Sequence, residues 1–382
     1  MASPLDDMKV VLITNIPTPY RIPFFRKISE LLEQEGHHFE VFFAAAGYAH
    51  RKWNVNLENG GFKYRFLESV AIAGNSSEQT SFSYRGISKI INESKATHVI
   101  VPGFSRASLR LSLASLFQNY QLIMWTGSVS HQTDGFLKRI YRKWIVRRMK
   151  HFITYSQSSA NYLIKLGASA DRINVSLNTV DLDFFSRAYE KNRRSQPKHE
   201  NVRLGYVGYL TERKEVHLLI SLFEAVHQKY PDCELHLAGD GDQRERLEKM
   251  VQRQGLEKQV HFHGYLQQEQ LPAFLAQTDI FLYQTSFDIW GLVLNEAMAS
   301  GLPCMSSINA VSSRELIRHA ENGYLVDFQE IERCEQLLSI LIESPKLRED
   351  FGKRAKQDIF EQASIEQSAH TFVTAIYASQ HS

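Results

Sequence analysis

Short apolar runs and amphipathic segments alternate along the chain. In the first half, segments with helical spacing separate apolar runs of strand length: Lys9–Thr14, Phe39–Ala44, His98–Val101, Gln121–Thr126, Phe152–Tyr155 and Ile173–Ser176. Nearly continuous apolar strands with helices between them are typical of a parallel sheet covered on both faces. The first half therefore predicts a doubly wound α/β unit.

The same alternation of apolar runs and amphipathic segments begins again after residues 187–201 (RAYEKNRRSQPKHEN). This almost wholly polar segment is interpreted as a linker. The strands predicted beyond it are Arg203–Gly208, Cys233–Ala238, Val260–Phe262, Ile280–Tyr283, Pro303–Ser306 and Tyr324–Val326. Two doubly wound units in series usually hold a ligand in the cleft between them, at the carboxyl ends of the strands.

Composition narrows the class of protein. A length of 382 residues with 43% hydrophobic and 23% charged positions fits two globular domains and excludes a largely disordered chain. The net charge of +2 excludes an overall polyanion-binding composition. Three widely spaced cysteines exclude a disulfide framework or a cysteine zinc site. With no secretory signal and no membrane-spanning apolar stretch, we expect a soluble or peripherally attached protein of a reducing compartment.

Residues 286–303 (SFDIWGLVLNEAMASGLP) carry the most informative chemistry. Asp288 precedes a predicted helix whose first turn contains Gly291, and a helix N-terminus offers unpaired N–H groups to a phosphate. Gly291 would leave room for a diphosphate, and Glu296 would face sugar hydroxyls. An ordinary amphipathic helix with Glu296 on a solvated face accounts for the same spacing.

This segment resembles the Glu-x7-Glu donor motif of retaining glycosyltransferase family 4, with Asp288 in place of the first glutamate and Glu296 matching the second. Further motifs carry the resemblance: YVGYLTERK (206–214), HLAGDG (236–241), VHFHGYL (260–266), TDIFLYQTS (278–286), ENGYLV (321–326) and, more loosely, YSQSS (155–159) and NTVDLDFF (178–185). The resemblance implies the GT-B fold, with two Rossmann-like, doubly wound domains facing each other across a cleft.

The resemblance also assigns the domains. It implies an acceptor-binding domain over residues 1–186, the linker 187–201 and a nucleotide-sugar-binding domain over 202–362. Residues 363–382 would form a helix that crosses back to the first domain.

In the donor site, the resemblance gives Glu296 the nucleotide ribose and Asp288 the hydroxyls of the donor sugar. The residues implied for the diphosphate and the nucleobase are Arg213, Lys214, Gly291, Leu292, Val293, Gly264 and Tyr265. Lys214 matches the family's lysine, whereas Tyr209 occupies the usual arginine position, so that Arg213 would supply the second cation. Fixed cations would stabilise the leaving phosphate without a divalent metal, and no cofactor is expected.

The acceptor side is less clearly marked. Tyr20 and Arg21 follow the first strand, and Trp125 and Ser128 lie at and beyond the end of the strand Gln121–Thr126. Family members commonly place a histidine near the donor sugar, which here suggests His131 as a catalytic residue. An ordinary loop histidine explains the same position.

Residues 136–151 (FLKRIYRKWIVRRMKH) form the strongest local concentration of positive charge, interleaved with aromatic and aliphatic positions. The pattern predicts a basic amphipathic helix. Such a helix could dock on an anionic membrane surface, bind nucleic acid, or simply cover the sheet with its cations in water. No recognised nucleic-acid module accompanies it, so no nucleic-acid partner is expected.

Together these features predict a cytoplasmic enzyme, peripheral on the inner membrane face if the basic helix docks there. It would move a sugar from a nucleotide-sugar donor to a hydroxyl of a glycan or lipid-linked glycan acceptor in polysaccharide or glycoconjugate synthesis. Two alternatives share the architecture: a non-hydrolysing sugar-nucleotide epimerase and a non-catalytic glycan-binding protein.

Overall fold

The computed structural model describes residues 7–47, 55–73, 80–129, 135–195 and 201–380. It divides the chain into two compact units. The first comprises Met1–Thr179 together with Ile365–Ser382, and the second comprises Val180–Ser364.

The first unit is built on a parallel sheet. Its strands are β1 (Lys9–Thr14), β2 (His38–Phe43), β3 (Lys63–Phe66), β4 (Ser69–Ala73), β5 (Thr80–Tyr84), β6 (His98–Pro102), β7 (Gln121–Thr126), β8 (His151–Thr154) and β9 (Ile173–Val175). Its helices up to this point are α1 (Arg21–Gln34), α2 (Ile87–Ser94), α3 (Arg106–Ala114), α4 (Phe136–Arg148) and α5 (Gln157–Lys165). The parallel strands follow the order β3-β2-β1-β6-β7-β8-β9. The strands β4 and β5 form a separate, two-stranded antiparallel sheet.

The second unit repeats this design. Its strands are β10 (Arg203–Val207), β11 (Glu234–Ala238), β12 (Val260–Gly264), β13 (Ile280–Tyr283), β14 (Cys304–Ser307) and β15 (Gly323–Val326), in the order β12-β11-β10-β13-β14-β15. Its helices are α6 (Leu182–Ser195), α7 (Val216–Lys229), α8 (Arg244–Arg253), α9 (Leu271–Ala276), α10 (Val293–Ala299), α11 (Val311–Leu316), α12 (Ile331–Glu343) and α13 (Pro345–Ala363). The predicted doubly wound α/β class is confirmed in both units.

After α13 the chain returns to the first unit as α14 (Ile365–Ala378). The buried Phe372 packs edge-on against Trp125 and Phe24, with ring centroids 5.3 and 5.5 Å away. The Ser176 hydroxyl donates to the Ser368 carbonyl over 2.9 Å, and the Ser368 hydroxyl donates to the Leu177 carbonyl over 3.0 Å. The core of the first unit therefore contains side chains from both ends of its sequence.

The interpretation of residues 187–201 as a linker is wrong for the part that the structure describes. Residues 187–195 continue α6, which begins at Leu182, and residues 196–200 lie outside the described ranges. The buried Phe185 anchors the helix, and Arg193 donates to the Ala276 carbonyl over 2.7 Å. A helix with one buried edge exposes most of its positions, and this explains its polar composition.

Each sheet contains one point where the strand order reverses, between β1 and β6 in the first unit and between β10 and β13 in the second. Loops that leave adjacent parallel strands there diverge to opposite faces and leave room for a ligand. Among the described residues, no helix combines the length and apolarity needed to span a bilayer.

Candidate functional site

An ion pair lies at the reversal point of the second sheet. Lys214 lies in the loop after β10, and its Nζ is 2.5 Å from Oδ2 of Asp288 in the loop after β13. Arg213 places Nη1 at 3.5 Å from the same oxygen. Because β10 and β13 are adjacent and parallel, their carboxyl ends bring these loops together. The structure thus unites three of the predicted donor-site residues.

The two loops are joined by their backbone as well as by these charges. The Arg213 carbonyl accepts hydrogen bonds from the amide and the hydroxyl of Ser286, over 2.9 and 2.8 Å. In return, Arg213 Nη1 donates to the Phe287 carbonyl over 2.7 Å. The positions of the cations are therefore held by main-chain contacts that do not depend on the ion pair itself.

The environment keeps Asp288 ionised. Burial alone would raise the pKa of its carboxyl, but the charge and hydrogen bond of Lys214, together with Arg213, outweigh burial and lower the pKa below its usual value. The Trp290 amide also donates to Oδ1 over 3.3 Å. Lys214 is only 6% exposed, so its ammonium group is held away from water beside this carboxylate. Two cations around one carboxylate leave a local excess of positive charge.

Tyr283, the last residue of β13, completes the cluster, although the sequence did not identify it. Its hydroxyl donates to Asp288 Oδ2 over 3.1 Å, and burial next to that carboxylate raises its pKa well above the usual value. Its position at the carboxyl end of a strand, five residues before Asp288, was the available signal. An aromatic residue at the end of an apolar strand is predicted to be a core residue unless the geometry of the following loop is known.

Gly291 has a structural role in addition to the one predicted. Its φ of +71° is left-handed, and a Cβ built on it would lie 1.7 Å from the Tyr283 hydroxyl oxygen. The glycine therefore makes room for a protein side chain, and its contact with a diphosphate stays a prediction. Leu292 lies just before α10, whose first residue is Val293, so Gly291 precedes the helix and is not in its first turn as predicted.

Glu296 lies in the first turn of α10 and is half-buried. Within the described ranges, its carboxyl makes no hydrogen bond or ion pair, and burial raises its pKa to about 8. The carboxyl thus retains its hydrogen-bonding capacity for a ligand. The alternative of a fully solvated glutamate is wrong.

The carboxyl ends of β10, β11 and β12 also lie close together. The Gly208 amide donates to the Ala238 carbonyl over 2.9 Å, and the Gly239 amide donates to the Gly264 carbonyl over 2.8 Å. Gly264 is the last residue of β12 and is held in place by the adjacent strand β11, and the half-buried Tyr265 follows it directly. Tyr209 is half-buried in the same set of loops, and its carbonyl accepts a hydrogen bond from Tyr206.

In the first unit, three of the predicted acceptor-side residues form one cluster. Arg21 begins α1, and its guanidinium lies 4.4 Å from the centre of the Trp125 ring and 5.7 Å from that of Tyr20. Arg21 donates to the Thr14 hydroxyl over 3.1 Å and to the Tyr155 hydroxyl over 2.8 Å. These contacts lie at the carboxyl ends of β1, β7 and β8.

Ser128, a further predicted first-unit residue, makes different contacts. The Ser128 hydroxyl accepts from Thr126, and its amide donates back to the Thr126 hydroxyl over 3.0 Å, so that Ser128 closes a turn after β7. His131 lies outside the described residues.

The basic segment is a shorter helix than predicted, because α4 ends at Arg148 and β8 begins at His151. Its two halves differ. Ile145 and Val146 are buried against the sheet, whereas Phe136, Leu137 and Ile140 are 77%, 80% and 50% exposed. Covering the sheet therefore explains only the second half of α4.

A polar cluster outside the donor site was also missed. Glu234 and His236 on β11 lie beside His261 and His263 on β12, where a buried parallel sheet usually carries apolar residues. The alternation of these residues with apolar neighbours in ELHLA and VHFHG was a visible signal of a second, polar sheet face.

Comparisons with known proteins bear on this arrangement. Residues 188–358 match the family described as Glycosyl transferases group 1. The chain is 23% identical over 340 residues to poly(ribitol-phosphate) alpha-N-acetylglucosaminyltransferase of Staphylococcus aureus, covering 86% of this chain and 64% of that protein. It is 26% identical over 242 residues to sulfoquinovosyl transferase SQD2 of Arabidopsis thaliana, covering 58% and 46% respectively. The chain thus spans less than two thirds of the length of either relative.

Among solved structures, Anabaena Alr3699/HepE in complex with UDP and glucose matches with a TM-score of 0.75 at 19% identity, covering 97% of this chain and 99% of that one. The matching family and both named relatives are glycosyltransferases, which supports the enzyme class predicted from the sequence. The structural likeness confirms the predicted fold: the chain adopts the GT-B fold.

Proposed function

We propose that this protein is a retaining, metal-independent glycosyltransferase of the family 4 type. It transfers a sugar from a nucleotide-sugar donor to a hydroxyl of a glycan or lipid-linked glycan. The observation that carries the proposal is the cluster of Lys214, Arg213 and Asp288 at the reversal point of the second sheet.

The charges of the cluster suit a nucleoside diphosphate. Two cations against one carboxylate leave a net positive charge in a partly buried environment, where electrostatic attraction is stronger than in water. Lys214 and Arg213 take the leaving diphosphate, and Asp288 takes hydroxyls of the donor sugar. The amides of Gly291, Leu292 and Val293 at the start of α10 add donors toward the diphosphate.

Glu296 and the end of β12 complete the donor assignments. The Glu296 carboxyl binds the hydroxyls of the ribose, since it makes no hydrogen bond to another described residue that would compete with them. The backbone at Gly264 and Tyr265 contacts the nucleobase, so that the base is recognised mainly by main-chain groups.

In the reaction, the bond between C1 of the sugar and the diphosphate oxygen breaks, and its electron pair leaves with the phosphate. The acceptor oxygen bonds to C1 on the same face, and the acceptor proton passes to the departing phosphate oxygen. Lys214 and Arg213 stabilise the negative charge that develops there. Such fixed charges are often the largest contribution to catalysis.

The acceptor is assigned to the first unit. The half-buried Tyr20 and Arg21 lie at the carboxyl ends of its strands, with the Arg21 guanidinium over the rings of Tyr20 and the buried Trp125. Ser128 and His131 are assigned to the acceptor as well. The relatives support transfer of a sugar to a hydroxyl group, since one is named for transfer of N-acetylglucosamine to poly(ribitol phosphate) and another for transfer of a sulfoquinovosyl group.

We further infer that the enzyme works in the cytoplasm at an anionic membrane surface, reached through the first half of α4. There Phe136, Leu137 and Ile140 are exposed beside Lys138, Arg139 and Lys143. Exposed apolar side chains enter the headgroup region while the cations contact anionic lipids. This placement would bring the enzyme to lipid-linked acceptors.

The test is to incubate the purified protein with a panel of nucleotide sugars, with and without glycan acceptors, in the presence of a metal chelator. The proposal expects nucleoside diphosphate release that a chelator does not abolish, and a product with the donor's anomeric configuration by NMR. An altered nucleotide sugar formed without acceptor would indicate an epimerase. Glycan binding with no nucleotide-sugar binding would indicate a non-catalytic protein.

A further inference from the structure

The edge of the second sheet carries a set of polar side chains that the donor site does not use. Side chains at alternate strand positions share one face, so Glu234 and His236 lie on the face opposite Leu235 and Leu237. The two leucines belong to the hydrophobic core of the unit. The opposite face is therefore free to serve a different purpose.

On that face, histidines of β12 approach those of β11. His236 and His261 are direct partners across the two strands, with ring centroids 4.7 Å apart. The Glu234 carboxylate, His236 and His261 each offer a ligand atom, and these atoms lie within 4.8 Å of one another. The side chains of His236 and Glu234 are 12% and 20% exposed, so the group is shielded from bulk water.

Hydrogen bonds define the orientation of His236. Its Nε2 lies 3.0 Å from Oε2 of Glu234, and its Nδ1 lies 2.9 Å from Nε2 of His263. Because an ionised carboxylate only accepts, His236 Nε2 carries the hydrogen and Nδ1 accepts from His263. Arg203 donates to the same Glu234 oxygen over 2.9 Å and so holds the carboxylate in place.

We propose that Glu234, His236 and His261 bind a divalent transition-metal ion of the zinc class. Two imidazoles and a carboxylate are ligands that Zn²⁺ prefers, and a water molecule can complete four-coordination. Neighbouring ligand atoms of a four-coordinate zinc ion lie about 3.4 Å apart, so the three atoms, which lie within 4.8 Å of one another, have to approach by rotation of their side chains.

Metal binding conserves the protons of the cluster. The hydrogen on His236 moves from Nε2 to Nδ1, which then donates to His263 Nε2, and the hydrogen of His263 moves from Nε2 to Nδ1 so that this nitrogen can accept. No proton leaves either ring, and the metal takes the position between His236 Nε2 and Glu234. His263 and Arg203 then act as positioning residues, like the outer hydrogen-bond partners of known metal sites.

The site would join the edge strand β12 to β11. The pairing of these strands already contains an irregularity at Leu237 and Ala238, where the register shifts before Gly264. A metal ion bridging His261 and His236 would fix the strand just ahead of that point. This role is structural and separate from the transfer reaction, which is proposed to need no metal.

The experiment titrates the full, chelator-treated protein with Zn²⁺ alone by calorimetry and follows thermal unfolding. We expect one ion per chain and a higher unfolding temperature, with no such response to Mg²⁺, which prefers oxygen ligands. His236→Ala, His261→Ala and Glu234→Gln should each weaken binding by at least about 10-fold, whereas His217→Ala, at an exposed histidine, should not.

Circular dichroism of the metal-free variants shows whether they fold. If an alanine variant does not fold, Glu234→Gln, which keeps the shape of the side chain, takes its place. Anomalous scattering from zinc-soaked crystals locates the ion. Absence of stoichiometric binding, or binding unchanged in His236→Ala and Glu234→Gln, would overturn the proposal. No nucleotide sugar is present in the titration, so its outcome is independent of the transferase assay.

Discussion

Lys214 remains a buried ammonium ion because Asp288 lies 2.5 Å away. Removing one partner of such a pair leaves the other as an uncompensated buried charge, which is strongly destabilising. The residue therefore contributes to stability and, in the proposed reaction, to catalysis. These two contributions need to be measured separately.

We expect Lys214→Met to lower kcat/KM for sugar transfer by about 10²–10³-fold, as loss of one transition-state donor does elsewhere. The double variant Lys214→Met/Asp288→Asn should recover much of the lost unfolding free energy without recovering activity. Lys229→Met removes an exposed lysine that also pairs with a glutamate, and should leave transfer unchanged. Near wild-type transfer by folded Lys214→Met would contradict the assigned role.

Glu296 gives the stability a pH dependence of known sign. Its folded-state pKa is about 8 against an ordinary 4.5, so the native protein holds a proton that the unfolded chain has released between these values. Stability is therefore lost as pH rises from about 4.5 to 8, by at most about 1.4 kcal/mol per pH unit.

Glu296→Gln should remove this loss, so the variant should gain unfolding free energy relative to wild type as pH increases. Denaturant unfolding at several pH values measures the difference. Glu332→Gln, at an exposed position of α12, is the matched control. A difference between Glu296→Gln and wild type that stays constant with pH would show that the carboxyl titrates normally.

At the scale of elements, the loop between β13 and α10 depends on Gly291. Gly301, just after α10, shares its left-handed backbone, with φ of +74° against +71°. A Cβ at Gly301 would meet nothing closer than 3.8 Å, whereas one at Gly291 would lie 1.7 Å from the Tyr283 hydroxyl. Substituting alanine at Gly301 therefore introduces backbone strain alone, whereas the same substitution at Gly291 adds a steric clash with Tyr283.

Gly301→Ala should cost about 1–2 kcal/mol of unfolding free energy, the usual cost of a left-handed non-glycine residue. Gly291→Ala should cost more and should also reduce transfer, because Tyr283 must move away from Asp288. Chemical denaturation and the transfer assay measure both effects. Equal costs for the two variants would mean that the loop accommodates the added methyl group.

The first half of α4 should determine membrane binding. Phe136→Ser/Leu137→Ser removes two apolar side chains that are 77% and 80% exposed, and should reduce co-sedimentation with anionic vesicles at least about 10-fold. Ile308→Ser/Ile340→Ser changes exposed apolar residues of the second unit and should bind like wild type. Equal binding by both double variants would exclude this helix as the docking element.

The strand and helix alternation was predictable because buried parallel strands are continuous apolar runs, as in β1 and β13. That Lys214 and Asp288 lie in one site was predicted from the motifs that contain them, but the ion pair between them was not. The helical nature of residues 187–195 was not predictable, because a helix that buries one edge has the composition of a linker. Tyr283 and the histidine cluster were missed because their roles depend on contacts between strands distant in sequence.

At the scale of the whole molecule, each unit has its own hydrophobic core. Phe372 of α14 is buried in the first, and Phe351 of α13 is 3% exposed in the second. Truncating a buried phenylalanine to alanine typically costs 3–5 kcal/mol. Because the clusters that contain Phe372 and Phe351 have no described side chain in common, the two substitutions should loosen different parts of the sequence.

Hydrogen exchange followed by mass spectrometry can separate these effects. Phe372→Ala should speed exchange in β1, β7 and β8, with little change in β10–β15. Phe351→Ala should do the reverse. Uniformly faster exchange across both units in either variant would show that they unfold as one cooperative block.

The return of α14 to the first unit has a consequence for synthesis on the ribosome. All of Val180–Ser364 is translated between β9 and α14, and that unit is continuous in sequence. The second unit can therefore finish folding first, while β1, β7 and β8 await the helix that covers them. During that interval the surface around Trp125 that receives Phe372 is uncovered, and nascent-chain pausing or chaperone contact would have its greatest effect there.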